Sequence, residues 1–305
     1  PISMLTGVLM YFVYVNIPAF DDTHVFMNKA LGIIQPLLLF CMLFVSFCKV
    51  HPRELRPHRW MLKLLAIQTL AFALGALLII LMPEMQGRVV LESFIICMIC
   101  PTATAASVVT TKLDGNASAV VSYTVIINLA ASIVIPSLVP FMHEVGGNDM
   151  DFITSFSLII GKVFPLLIMP LLLAWTVRFL LPDFHARVLR HKDLAFHLWA
   201  VALALAIAIT VKAIMHSEES ILSLVGIAIA SLLSCVIQFW LGHIIGRQHG
   251  ETIAGTQGLG QKNTIFAIWM GYTFMNPVTA MAGGFYSVWH NVINSYQLYR
   301  HNTQH

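Results

Sequence analysis

Charge is scarce in this chain. Only 10% of its 305 residues are Asp, Glu, Lys or Arg, 58% are hydrophobic, and mean hydropathy is +0.81. A water-soluble domain carries about 25% charge and about 45–50% apolar residues. One water-facing fold cannot absorb that excess, so the solvent is a bilayer. Cysteine is sparse too. Cys41, Cys48, Cys97, Cys100 and Cys235 all fall in apolar stretches. Cys97 and Cys100 have C-x-x-C spacing, but no second pair and no nearby histidine completes a metal or redox motif, so they read as packing residues. H-E-x-x-H, G-x-S-x-G and Walker A sequences are all missing, as is a pair of intramembrane aspartates. These absences argue against an enzyme, an organic cofactor or a nucleotide-driven pump. Energy for work across the membrane then comes from an ion gradient or from the solute's own. The net charge of +3 points to no nucleic-acid partner, because the basic residues are sorted by topology. No cleavable leader with an A-x-A site is recognisable.

What is present is a series of apolar runs. At about 20 residues per span, they predict ten transmembrane helices near residues 2–18, 30–48, 61–82, 89–112, 117–142, 153–181, 195–215, 220–244, 252–274 and 277–299. This fills the chain and leaves no room for a separate soluble domain. Pro52, Pro83, Pro182 and the Gly146-Gly147 pair punctuate the loops. Lys49, Arg53, Arg56, Arg59 and Lys63 follow span 2, and Arg178, Arg187, Arg190 and Lys192 follow span 6. With ten spans, Lys112, Arg247 and Arg300 share that side. Lys29, Arg88 and Lys212 lie opposite, with Asp21, Asp22, Glu84, Glu144, Asp149, Asp151, Glu218 and Glu219. Basic residues collect in cytoplasmic loops, so both termini are expected in the cytoplasm of a multi-pass protein of a bacterial inner membrane or a plasma membrane. Five spans precede Gly146-Gly147 and five follow. An odd number per half sets the halves in opposite orientations, as an inverted repeat of about 1–146 and 147–305.

Two of these runs are interrupted. Span 4 contains Pro101-Thr102-Ala103-Thr104-Ala105-Ala106-Ser107, followed by Thr110 and Thr111. Span 9 contains Gly258-Leu259-Gly260-Gln261-Lys262-Asn263-Thr264. Proline removes an amide donor and disfavours helix before it, and Gly255, Gly258 and Gly260 permit unwound backbone. Lipid tolerates irregular backbone only where protein or a cavity covers it. Paired breaks at equivalent places in two halves point to a transport site. Gln257 and Gln261 sit four apart, on one helical face. Lys262 lies about ten residues from either end of its span, where a charge costs at least about 2.5–3.5 kcal/mol and marks a site by default. Among the other intramembrane polar groups, Gln68 reads equally as a ligand or as a helix-to-helix bond. Lys162 and Glu92 read as interfacial, and Asn128, His290 and Asn291 as helix packing. Trp269, Tyr272, Phe274 and Met275 also read as packing.

The stretch Cys100-Pro101-Thr102-Ala103-Thr104-Ala105-Ala106-Ser107-Val108-Val109-Thr110 resembles the C-P-G-G-T-A-S-N-V-x-T segment of the bile acid:sodium symporter family. Gly284-Phe285-Tyr286-Ser287-Val288-Trp289-His290-Asn291 is similar to that family's last helix, and the span 9 break to its E-x-G-x-Q-N segment. The resemblance implies an all-α membrane fold with a panel domain of spans 1, 2, 6 and 7. Spans 3–5 and 8–10 would form a core, with spans 4 and 9 crossing at their breaks. Substrate would sit between panel and core, and rocking of the two would give alternating access. Family substrates are amphipathic organic anions, such as bile acids and sulfated steroids, or small carboxylates such as pantoate.

The chain is a divergent member on this reading, because its ion sites depart from the pattern. The family's first sodium site uses a Ser-Asn pair, here Ala106 and Ser107, and hydroxyls on span 5, where Thr124 fits but Val120 does not. The glutamate serving both sodium sites matches Gln257. The second site's glutamines match Gln68 and Gln261, and the asparagine that follows becomes Lys262; a one-residue shift would put Lys262 on the glutamine. Either register places a fixed positive charge at the crossover without a carboxylate. At about 4 Å and an effective dielectric near 20, ammonium and sodium repel by roughly 4 kcal/mol. Lys262 is therefore expected to stand in for sodium, bonding Gln68, Gln257 and Ser107. A buried lysine can also exchange a proton. The candidate substrate- and ion-binding set is Gln68, Thr104, Ser107, Thr124, Gln257, Gln261, Lys262 and Asn263, with breaks at Pro101, Gly258 and Gly260. The expected function is secondary transport of an organic anion, with sodium left open. The alternatives are a proton-coupled exchanger of the same fold and a membrane sensor that binds without transporting.

Overall fold

The computed structural model describes residues 2–17, 24–143, 150–191 and 193–304. Asp21, Asp22, Glu144, Gly146, Gly147, Asp149 and Lys192 lie outside the described residues. Within them the chain forms thirteen α-helices and no named strand. They are α1 (Ile2–Asn16), α2 (His24–Cys48), α3 (Arg59–Leu81), α4 (Arg88–Ile99), α5 (Ala105–Lys112), α6 (Ala117–Met142), α7 (Phe152–Leu180), α8 (Pro182–Arg190), α9 (Leu194–Met215), α10 (Ile221–Arg247), α11 (Thr252–Gly260), α12 (Thr264–Phe274) and α13 (Ala280–Gln304).

Six of these helices contain a segment long and apolar enough to cross a bilayer: α2, α3, α6, α7, α9 and α10. The expected spans 4 and 9 are each two short helices, α4 with α5 and α11 with α12. The expected span 1 is a helix of 15 residues. The expected span 10 is α13, which carries a polar file of Ser287, His290, Asn294 and Gln297 at three- and four-residue spacing. One expected loop is a helix instead. In α8, Pro182 at the first position and Arg187 and Arg190 in the last turn favour helix at both ends. Val188 and His185 face inward, with His185 Nε2 2.9 Å from the Cys48 carbonyl.

Burial runs opposite to the pattern of a soluble protein. On α3 the outward face is Leu70, Leu74, Leu77 and Leu81, all exposed, while Gln68 on the inner face is fully buried. Polar groups inside and leucines outside suit a lipid solvent. In chain order the main helix packings are α1 on α9, α2 on α7 and α9, α3 on α4 and α6, α4 on α10 and α13, α6 on α7, α10 on α11 and α13, and α12 on α13.

Helices α10 and α11 approach each other closely. A Cβ on Gly255 would lie 2.5 Å from the Gly242 carbonyl oxygen and 2.8 Å from Gly246 Cα. A Cβ on Gly260 would lie 2.5 Å from the Phe239 ring. These glycines therefore bring helices together, as small residues do in membranes. That corrects the expectation that Gly255, Gly258 and Gly260 unwind the backbone. All three are helical in α11, and the unwound residues are 261–263.

Candidate functional site at the helix crossover

Helix α4 stops at Ile99 because Cys100, preceding Pro101, is driven to extended geometry (φ −51°, ψ 133°). Helix α11 stops at Gly260, with Gln261 extended (φ −85°, ψ 111°). The two unwound segments run antiparallel, with Thr102 opposite Lys262. Ala103 N donates to the Gln261 carbonyl at 2.9 Å, and Asn263 N to the Pro101 carbonyl at 2.8 Å. Each break thus satisfies part of the other.

Side chains satisfy the carbonyls that remain. Gln68 Nε2 donates to the Met98 and Cys100 carbonyls at 2.7 and 3.3 Å, and Gln238 Nε2 to the Cys97 carbonyl at 3.2 Å. Thr102 Oγ1 donates to the Gly258 carbonyl at 2.6 Å, and Tyr286 Oη to the Gly260 carbonyl at 2.8 Å. Cys100 Sγ donates to the Asn263 carbonyl at 2.8 Å. In lipid each unpaired backbone group costs several kcal/mol, which accounts for polar residues at these fully buried positions. Asn263 caps the second half-helix, its Oδ1 accepting from Phe266 N at 3.2 Å, while its Nδ2 is buried without a partner.

The expected site residues fall into three groups. Thr104, Ser107 and Thr124 line one narrow cavity of about 10 Å³, room for about one water molecule, beside Ala103 and Val121 and facing Leu43, Ser46 and Phe47 of α2. Gln257 and Gln261 form a ladder instead: Gln261 Nε2 donates to Gln257 Oε1 at 2.5 Å, and Gln257 Nε2 to Gln297 Oε1 on α13 at 2.6 Å. Gln68 stands apart from both, with Tyr123 Oη donating to its Oε1 while its amide caps α4.

Lys262 is buried as expected, with 1% exposure, but it does not make the expected bonds. Its Nζ has no hydrogen-bond partner. Gln68, Gln257 and Ser107 are engaged elsewhere, Ser107 Oγ donating to the Thr104 carbonyl at 3.2 Å. The ammonium's electrostatic neighbours are Cys97, Cys100 and Cys235. It therefore lies toward the last turn of α4, where a helix carries partial negative charge that favours a cation.

Two other intramembrane charges part ways. Lys162 is exposed, its Nζ 5.5 Å from the Phe274 ring centroid. Glu92, expected near an interface, is covered by protein: at 1% exposure it is the one fully buried carboxylate among the described residues. Arg88 Nε lies 2.8 Å and His143 Nε2 3.2 Å from its Oε1, and Thr279 Oγ1 donates to Oε2 at 3.1 Å. This cluster ties α4 to the end of α6 and the turn before α13. His290 packs edge-on against Tyr286, one turn earlier on the same helix, with ring centroids 5.7 Å apart.

The sequence reading missed Ser46, Tyr123, Gln238, Tyr286 and Gln297. Gln238 carried the signal that singled out Gln68, an amide within an apolar helix, while Gln297 sits on the polar file of α13. Ser46 and the two tyrosines looked like ordinary apolar-span residues.

The fold and the buried crossover define a multi-pass integral membrane protein. The model of the sodium bile acid symporter family matches residues 36–224, more than half of the chain. The chain belongs to that family, and its class is solute transporter. The match contains the first break and ends before the second. A comparison with curated proteins finds no match.

Proposed function

We propose that the chain is a secondary transporter of an organic anion in which the Lys262 ammonium stands where relatives hold sodium. Helices α1, α2, α7 and α9 form the panel, and α3–α6 with α10–α13 the core. Taking α4 with α5 and α11 with α12 as one span each gives ten spans in two inverted halves, with both termini cytoplasmic. The packing of α1 on α9 and of α2 on α7 and α9 supports this grouping, with α6 on α7 the main seam between panel and core. Substrate sits in the cleft between α2 and the crossover, where the hydroxyls of Ser46, Thr104, Ser107 and Thr124 meet an apolar wall. Ala105 opens α5 beside them, and helix N-termini favour anions.

One observation carries the reading: two interrupted helices bond to each other through their unwound backbones, with a fully buried ammonium beside them. A proton-linked exchanger of cations would call for a carboxylate at the crossover. The one fully buried carboxylate among the described residues, Glu92, is instead held by Arg88, His143 and Thr279. The test is a thermal-shift screen of purified protein against small carboxylates, bile acids and steroid sulfates, followed by uptake of each stabilising solute into proteoliposomes. A solute at about a hundred times its Kd stabilises by about 2.7 kcal/mol. Stabilisation by, and uptake of, at least one of these organic anions is expected; binding without uptake would turn the reading toward a sensor.

A further inference from the structure

Helix α8 joins the ends of two long apolar helices, α7 and α9. Phe179, Leu180 and Leu181 are exposed just before it, and Phe196 is exposed just after it, in the first turn of α9. The helix itself has two sides. His185 and Val188 are buried, while Phe184 and Leu189 are exposed together with Arg187 and Arg190. Apolar and basic side chains exposed on one short helix suit the plane of a membrane interface. The end of α8 and the start of α9 enclose a cavity of about 450 Å³, lined by Arg190, His191, Asp193, Leu194 and His197. Arg187, Arg190 and Asp193 form no ion pair among the described residues. Asp193 is the N-cap residue of α9, yet its side chain makes no capping bond. The first turn of α9, where a helix favours negative charge, is thus left uncapped at the cavity wall.

We propose that this cavity binds the head group of an anionic phospholipid, with the phosphodiester on Arg190, His191 and His197. The acyl chains lie against the apolar residues next to these, Leu189 and Phe196. This goes beyond the transport reading and does not rest on it. Charge favours an anion: Arg178, Arg187 and Arg190 outnumber Asp183 and Asp193, and Lys49 and Arg53 follow α2, on which α8 packs. A guanidinium presents a planar fork that meets two phosphate oxygens at once. Asp193 narrows the class. Its carboxylate repels a second phosphate and accepts hydrogen bonds from hydroxyls, which fits the glycerol head group of phosphatidylglycerol. A water-soluble phosphate ester would leave the apolar residues of the rim uncovered. Basic sites at the ends of membrane helices recognise anionic head groups in this way.

The test is thermal unfolding of the purified full chain in detergent, with added phosphatidylglycerol or with phosphatidylcholine of the same acyl chains. Phosphatidylglycerol is expected to raise the melting temperature by at least about 2 °C more than phosphatidylcholine, because a ligand of the folded state alone stabilises it. Arg187→Gln with Arg190→Gln is expected to abolish that difference. The pair should leave the melting temperature in phosphatidylcholine unchanged, since both side chains are exposed and unpaired among the described residues. Arg187→Lys with Arg190→Lys keeps the charge and should retain at least about half of the difference. Arg247→Gln with Arg300→Gln, near the ends of α10 and α13, should retain all of it. Equal responses to the two lipids, or a difference that survives the glutamine pair at 187 and 190, overturn the site. Equal loss in the pair at 247 and 300 overturns it too, in favour of diffuse charge. Stabilisation by millimolar inorganic phosphate that matches phosphatidylglycerol overturns the lipid as ligand.

Discussion

The paired substitution Gln257→Glu with Lys262→Asn makes transport sodium-dependent. It changes local charge by two units, removing the ammonium and adding a carboxylate to α11 at the position where the family pattern has one. Removing the ammonium removes roughly 4 kcal/mol of repulsion toward a cation at about 4 Å. Gln261 Nε2 already donates to Gln257 Oε1 at 2.5 Å, and a carboxylate oxygen takes that bond without rearrangement. Gln297, half-buried on α13, must turn its amide to donate rather than accept, which a glutamine side chain does by rotating its last torsion. The expected gain is at least about tenfold in uptake with an inward sodium gradient, a difference of about 1.4 kcal/mol. Sodium, and not potassium, should also raise the variant's melting temperature. A double variant indifferent to sodium contradicts the assignment of the ion site to this crossover.

Lys262→Met separates stability from activity. The ammonium is fully buried and makes no hydrogen bond. Methionine keeps an unbranched side chain and removes the charge. Replacing a buried charge by a well-packed apolar group is neutral or stabilises by about 1–4 kcal/mol, so the melting temperature should hold or rise. Transport should fall at least about tenfold, because the cation that offsets the carbonyl end of α4 and the positive field at the crossover is gone. A destabilised but fully active variant would assign Lys262 to structure alone. Thermal unfolding in detergent and initial uptake rates in proteoliposomes read the two sides separately.

Much of this was legible because lipid sharpens the rules. Span 5 matches α6 at both ends, 117 and 142, since Asn116 is a side-chain cap and the apolar run ends at His143. Both breaks were visible because proline and lysine have few reasons to sit mid-membrane. Their union was not legible residue by residue: which amide meets which carbonyl depends on a one-residue register between segments about 160 positions apart. The glycines of α11 misled because conformational freedom and close approach leave the same mark in a sequence; at Gly255 the 2.5 Å at which an added Cβ would meet the Gly242 carbonyl oxygen tells them apart. Gln68 resembled an ion ligand because capping carbonyls and coordinating a cation both call for a buried amide. The burial of Glu92 was not legible because nearness to a span end says nothing about whether a neighbouring helix covers it. Helix α8 was hidden by Pro182, which stops a helix as readily as it starts one.

The most direct measurement is the melting temperature of the unaltered purified protein, titrated with sodium chloride and, at matched ionic strength, with potassium chloride. If the Lys262 ammonium fills the role of the ion, the two curves coincide through the millimolar range. Stabilisation by millimolar sodium that potassium fails to reproduce would contradict the account at its centre.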